Sequence, residues 1–219
     1  MKNTIKAVIF DMDGVMLDNN DWHLKAWLAY AEKRSIPLKA EEAYTRVFGK
    51  TNKEIILEAY PDTDEKTVEE WSLEKEALYR EMYEPDFALA NGLKELLCQL
   101  RERNYQIALA SNAPKENVDF TLDKGGIRSF FDVILWAGVV QRPKPFPDIY
   151  QKASQLLGRE SSESLVVEDS PTGIMAAIAA ESPVIGLSST YSREKLGLYT
   201  PLVLDSLTEI PSILFPPTG

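Results

Sequence analysis

Five short apolar runs, Ile5 to Phe10, Tyr105 to Ala110, Val133 to Trp136, Leu165 to Val167 and Val184 to Leu187, constrain this chain more than any other feature. Each is rich in Val, Ile, Leu or Ala and is bounded by polar or turn residues. Runs of this kind suit strands buried on both faces, as in a parallel sheet covered by helices, and the helical segments between most of them read as repeated βα units. With right-handed crossovers the expected fold is a doubly wound, Rossmann-like α/β core.

One interval breaks the rhythm. Between Phe10 and Tyr105 lie helical segments at Asp21 to Arg34, Leu38 to Val47, Asn52 to Ala59 and Asp64 to Tyr83, with Gly49 and Pro61 as punctuation. Trp22, Lys25, Ala26 and Ala29, with Trp27, Leu28 and Ala31, carry the helical period in the first of them. Residues 15–87 therefore read as an α-helical cap inserted after the first strand, leaving 1–14 and 88–219 as the core. A helix from Leu93 to Arg103 returns the chain to that core. The acidic stretch Asp62 to Glu76 reads as a solvated cap surface, with Val68, Trp71, Leu73 and Leu78 spaced for packing.

A chain of 219 residues can bury one sizeable core and still carry such an insertion. With 44% hydrophobic and 26% charged residues it has the composition of a globular protein, and no apolar stretch is long enough to cross a bilayer. The formal net charge of -10 leaves no basic stripe for nucleic acid, although a local cluster of cations and a metal can still hold a small phosphate ester. The start, Met1-Lys2-Asn3-Thr4 before a short apolar run, lacks a leader cleavage pattern, so a cytoplasmic monomer is expected, with no membrane partner. The single cysteine, Cys98, beside Leu96, Leu97 and Leu100, is expected as a buried core thiol. Pro211, Pro216 and Pro217 suggest a frayed tail after a short last helix.

The chemistry concentrates at strand ends. Phe10-Asp11-Met12-Asp13-Gly14-Val15 puts two carboxylates where a doubly wound sheet binds its ligands. Two carboxylates turned into one cleft repel each other and call for a cation, and oxygen-only ligands favour Mg²⁺; solvated side chains of an Asx-type turn are the alternative. Gly14 lets the chain turn away. Ser111, in Ala110-Ser111-Asn112, can cap the helix Lys115 to Asp123 or help to bind an anion. Lys144, between Pro143 and Pro145, is either a solvated surface lysine or a point charge held towards a phosphate. Glu168 and Asp169 precede a capped helix start at Ser170-Pro171, as dipole partners or as metal ligands. One glycine after the first strand is too few for a dinucleotide-binding turn.

Asp11-Met12-Asp13-Gly14-Val15 resembles the nucleophile motif of the haloacid dehalogenase-like superfamily. Ser111-Asn112, Arg142-Pro143-Lys144-Pro145 and Val167-Glu168-Asp169-Ser170 resemble its later motifs in the same order, across essentially the whole core. The resemblance implies Asp11 as the phosphorylated nucleophile and Asp13 as acid and base. It implies Mg²⁺ on Asp11, the Asp13 carbonyl, Glu168 and Asp169, with phosphate oxygens bound by Ser111, Asn112 and Lys144. Asp13 points to phosphate esters, since a halide leaving group needs no proton. Trp22-His23-Leu24-Lys25-Ala26-Trp27 resembles the first cap helix of the β-phosphoglucomutase-like subfamily, which implies that His23 and Trp27 face the closed site and contact substrate. The mutase pattern has an arginine where Asn52 falls, beside Lys50 and Lys53, so the expected activity is a phosphatase acting on a small phosphorylated metabolite, a sugar phosphate first. β-Phosphoglucomutase and a non-catalytic phospho-metabolite sensor are the alternatives.

Overall fold

Side-chain alternation along β1 (Ala7–Phe10) decides the architecture of the larger part of the chain. Successive residues of a strand point to opposite faces. Val8 and Phe10 enter one apolar cluster, and Ala7 and Ile9 another on the other face. The structure is a computed structural model that describes residues 5–48 and 50–216; residues 1–4, Gly49, which the sequence offers as punctuation, and residues 217–219, with Pro217 among them, lie outside the described residues.

The strands β2 (Gln106–Ala110), β3 (Val133–Leu135), β4 (Ser164–Glu168), β5 (Val184–Leu187) and β6 (Val203–Leu204) join β1 in one parallel sheet of order β3-β2-β1-β4-β5-β6. The last of these is a two-residue edge strand that the apolar-run criterion does not register. Helix α5 (Leu93–Glu102) and helix α6 (Lys115–Gly125) supply Leu93, Leu97, Val118 and Leu122 to the cluster around Val8 and Phe10. Helix α7 (Asp148–Leu156) and helix α8 (Pro171–Ala179) supply Ile149, Tyr150, Ala176 and Ala177 to the opposite face. Both faces of the sheet are thus covered, which is why its strands read as unbroken apolar runs. Short helices α9 (Arg193–Leu196) and α10 (Ile210–Leu214) close the unit.

Cys98 corrects an expectation. Leu93, Leu96, Leu97 and Leu100 form the buried stripe of α5 at helical spacing, and Cys98 falls outside it, exposed.

The second unit is helical: α1 (Asn20–Arg34), α2 (Ala40–Val47), α3 (Asn52–Ala59) and α4 (Glu65–Tyr83). Thr51 and Asp64 cap α3 and α4, accepting from the N–H groups of Glu54 at 3.2 Å and Thr67 at 3.0 Å. Trp27, Tyr30, Val47, Ile55, Ile56 and Val68 fill its core. The chain enters this unit at Asn19 rather than at Val15, because Val15 and Met16 are buried in the core cluster of the first unit and Leu17 bridges to Leu89 there. The stretch expected as a solvated surface is only partly so: Leu73 is exposed, whereas Lys75 and Glu76 are buried. Among the described residues no helix is long and apolar enough to cross a membrane.

Candidate active site

The sheet order places β1 between β2 and β4, so the chain's winding reverses beside β1 and opens a crevice at the carboxyl ends of the strands. The hydrogen-bond ladder runs one residue past the strands there. Asp11 N–H donates to the Val167 carbonyl at 3.0 Å, and Ser111 N–H to the Leu135 carbonyl at 3.1 Å. Asp11 and Ser111 are thereby fixed side by side with Glu168, the last residue of β4, and Asp169, which follows it.

Lys144 arrives from the loop before α7. Its Nζ stands 2.6 Å from Asp11 Oδ1 and 2.8 Å from Glu168 Oε1, with all three side chains buried. Two contacts hold the loop in place. Lys144 N–H donates to Asn112 Oδ1 at 3.3 Å while Asn112 Nδ2 donates to the Lys144 carbonyl at 3.4 Å, and Arg142 forks onto Asp148 at 2.7 and 3.0 Å. The Asn112 amide therefore latches the lysine loop to the end of β2.

Glu168 is held from both sides. Its Oε2 accepts from Asp169 N at 2.9 Å, Ser170 N at 3.1 Å and Ser170 Oγ at 3.0 Å, while Oε1 accepts from Lys144 and from Tyr150 Oη at 2.8 Å. Ser170 caps α8 by accepting from Gly173 N–H at 3.0 Å, and a Cβ at Gly173 would overlap the Glu168 carboxylate. Gly14 serves in a similar way: its φ is +77°, and a Cβ there would overlap the Asp169 carboxylate and the Thr190 hydroxyl. Thr190 Oγ1 donates to Asp169 Oδ2, and Ser189 Oγ to the Gly14 carbonyl.

Three buried carboxylates share one ammonium. Burial pushes Asp11 up to about 7 against the opposing pull of Lys144, with Glu168 adding to the rise. Burial also raises Asp169 well above the carboxylate range, with Glu168 and Asp11 reinforcing it. Glu168 goes the other way: burial would raise it, but the charge and hydrogen bond of Lys144 hold it below the usual value. Lys144 is raised, since the two carboxylates outweigh its burial. With one ammonium for three carboxylates, the cluster carries surplus negative charge. Asp11, Glu168 and Asp169 each offer a carboxylate oxygen within 4.8 Å of the others, and hard oxygen donors with surplus negative charge fit a divalent cation such as Mg²⁺.

Ser111 is buried and its Oγ accepts from Ala113 N–H at 3.0 Å; α6 begins after Pro114, so Ser111 is not its cap. Asp13, next to Met12 on the same turn, is partly exposed. In the helical unit, the His23 ring stacks on Tyr79 at 3.8 Å with Nδ1 3.3 Å from Lys75 Nζ. Trp27 lies buried in that unit's core, with Lys75 Nζ 5.4 Å over its ring.

A sequence model of the family described as haloacid dehalogenase-like hydrolase matches residues 8–187, a span that contains every strand-end motif named above. The chain belongs to the haloacid dehalogenase-like hydrolases. Similar proteins include validoxylamine A 7'-phosphate phosphatase of Streptomyces hygroscopicus subsp. limoneus, 28% identical over 206 residues, covering 94% of this chain and 95% of that one. β-Phosphoglucomutase of Bacillus subtilis is 31% identical over 196 residues, covering 84% of this chain and 83% of its own. Among solved structures, a family IA, variant 3 haloacid dehalogenase-like hydrolase from Entamoeba histolytica superposes with a TM-score of 0.87 at 29% identity, covering 94% of this chain and 95% of that one.

Within this haloacid dehalogenase-like site, two side chains escape the sequence reading. Tyr150 follows Lys144 by most of a loop and a turn of α7, and only the topology brings them together. Thr190 lies in the Ser188-Ser189-Thr190 run after β5, a polar turn at a strand's carboxyl end, which is the one signal that points to it.

Proposed function

We propose that this hydrolase is a Mg²⁺-dependent phosphatase of a small phosphate monoester, a sugar phosphate in the first instance, working through a phosphoryl group carried on Asp11. The observation that carries this reading is the buried contact of Lys144 with Asp11 beside the Asp169 carboxylate. Asp11 attacks phosphorus in line, and the P–O bond to the organic group breaks as Asp13 gives that oxygen a proton. Asp13 then takes a proton from water, whose oxygen bonds to phosphorus as the bond to Asp11 breaks, and phosphate leaves. Lys144 and Ser111 bind the phosphoryl oxygens, with Asn112 beside them, so that stabilisation is chiefly electrostatic. Asp11, Asp169, Glu168 and the Asp13 carbonyl would hold Mg²⁺, which when bound would supply positive charge beside the transferring group. Trp27, expected to contact substrate, is instead taken up by the helical unit's own core, and the His23 ring is stacked on Tyr79 there.

A phosphatase is favoured over a mutase by the helical unit's own chemistry. Asn52, where the mutase pattern has arginine, donates its amide to Glu76 Oε1 at 2.7 Å. Lys75 is 2.5 Å from the same oxygen, Lys50 pairs with Glu58, and Lys53 lies 3.3 Å from Glu65. A second phosphate group would have to compete with these carboxylates for its cations. Likeness to the B. subtilis mutase keeps phosphoryl transfer between sugar hydroxyls as the second reading.

A phosphate-release assay over a panel of sugar phosphates with Mg²⁺ tests the proposal, with hydrolysis abolished in Asp11→Asn as the expected result. Conversion of β-glucose 1-phosphate to glucose 6-phosphate without phosphate release would establish the mutase instead, and no turnover of any ester would favour a sensor.

A further inference from the structure

Tyr150 belongs to α7, on the face of the sheet away from α5 and α6, and it is fully buried. For packing alone a phenyl ring would serve. The hydroxyl is the informative part, because a buried O–H needs a partner, and this one donates to Glu168 Oε1 at 2.8 Å. That oxygen also accepts from Lys144 Nζ at 2.8 Å, and the same ammonium stands 4.8 Å over the Tyr150 ring. One side chain thus offers a hydrogen bond to the anion and a π face to the cation of a single buried ion pair.

We propose that Tyr150 is a positioning residue which fixes the Lys144–Glu168 pair and so sets where the lysine ammonium stands relative to Asp11. The proposal rests on the reading of Lys144 as a phosphate-binding group. Its physical basis is competition for one ammonium. Lys144 is shared between Asp11 at 2.6 Å and Glu168 at 2.8 Å. Glu168 Oε2 is occupied by the backbone N–H groups of Asp169 and Ser170 and by the Ser170 hydroxyl, whereas among the described residues Oε1 takes its donors from Lys144 and Tyr150 alone. With the tyrosine hydroxyl in place, part of the demand of Oε1 is met without the lysine. Without it, the carboxylate draws the ammonium towards itself, away from Asp11 and from a phosphoryl group bound there.

Tyr150→Phe tests this, since it keeps the ring and removes the hydroxyl. The probe is inorganic phosphate, titrated by calorimetry in the presence of Mg²⁺, with the parent protein and the variant compared. The expected result is a Kd for phosphate raised about 3- to 10-fold at full stoichiometry, less than the loss of a direct hydrogen bond to a charged group because Tyr150 acts on phosphate only through Lys144. Mg²⁺ binding measured without phosphate is expected to stay within about twofold, as the donors to Glu168 Oε2 are untouched. A purely structural role gives a different pattern: a fraction of unfolded protein lowers the stoichiometry and leaves Kd unchanged. That result, or a variant that binds phosphate as the parent does, would overturn the assignment. If the parent has no affinity for phosphate, the phosphatase reading fails and the role of Tyr150 falls with it, whereas equal binding by parent and variant removes Tyr150 alone.

Discussion

Lys144 Nζ lies 2.6 Å from Asp11 Oδ1 and 2.8 Å from Glu168 Oε1, in a cluster whose third carboxylate, Asp169, has an oxygen within 4.8 Å of theirs. The lysine enters from a loop and the aspartate from the central strand, so the pair ties two distant parts of the chain together. Removing one partner of a buried ion pair commonly costs about 3–5 kcal/mol, because the other charge stays behind. Lys144→Met is therefore expected to lower the melting temperature of the metal-free protein by ten degrees or so. Added Mg²⁺ should restore part of that loss. Turnover should fall by about 10²–10³, the usual effect of deleting one electrostatic stabiliser. Thermal melts with EDTA and with Mg²⁺ check the stability, and the phosphate-release assay checks the rate.

Asp11→Asn is expected to separate stability from activity. Hydrolysis should be abolished, since an amide cannot serve as the nucleophile. At pH 8 the metal-free variant should nevertheless melt several degrees higher than the parent, because it relieves a buried carboxylate whose pKa is already raised to about 7. Melting curves at pH 8 in EDTA decide this.

The two units respond to pH in opposite senses. Asp11 has a folded-state pKa above its unfolded one, so its contribution to stability is fully present below about pH 4 and is lost as pH rises towards 7. Glu76 is the reverse. Burial opposes its charge, but Lys75 and His23 hold it down at about 2, so its contribution is present above its unfolded value of 4.5 and disappears as pH falls towards 2. Metal-free protein should accordingly lose stability between pH 4 and 7 through Asp11, while Mg²⁺ binding, which needs the carboxylate deprotonated, should tighten over the same interval and release protons. Calorimetric Mg²⁺ titrations at pH 5, 6, 7 and 8, in buffers of differing ionisation enthalpy, measure both.

Gly14→Ala places a methyl group against the Asp169 carboxylate and the Thr190 hydroxyl at a residue whose φ is +77°. The left-handed backbone alone costs about 1–2 kcal/mol for a residue with a Cβ. Displacing Asp169 should also weaken Mg²⁺ binding by about 10- to 100-fold, the range seen when the supports of metal ligands are altered. Calorimetry without substrate reads the second effect apart from the first.

Glu76→Gln tests the distinction between phosphatase and mutase in the helical unit. Lys75 then loses its buried counter-charge, and the unit is expected to lose about 3–5 kcal/mol. At temperatures where the variant stays folded, glucose 1,6-bisphosphate should inhibit hydrolysis of a monophosphate more strongly than it does in the parent. Inhibition constants for the bisphosphate, measured for both proteins, check the direction.

What the sequence reveals here follows the range of the interactions concerned. β1, β2, β4 and β5 announce themselves through runs that the sheet buries on both sides, and Asp11 and Glu168 stand out as candidates because they adjoin those runs. β6 is too short to carry a run. Cys98 departs from expectation because neighbouring leucines suggest burial, whereas helical phase, set by Leu93, Leu96, Leu97 and Leu100, leaves the thiol exposed. Lys75 and Glu76 look like two more charges in an acidic helix; their burial depends on each other and on Asn52, which comes from a different helix. Tyr150 reads as an ordinary core aromatic of α7, and its hydroxyl gains meaning only beside Glu168, a partner supplied by the fold.

Trapping the phosphoryl group on the chain is the most direct measurement. Protein mixed with a turnover substrate and Mg²⁺ is quenched in acid, digested and analysed by mass spectrometry, with Asp11→Asn run in parallel. A phosphoryl adduct on the peptide containing Asp11, absent from the variant, is the expected outcome. Steady turnover by the Asp11→Asn protein, or an adduct on any other side chain, would contradict it.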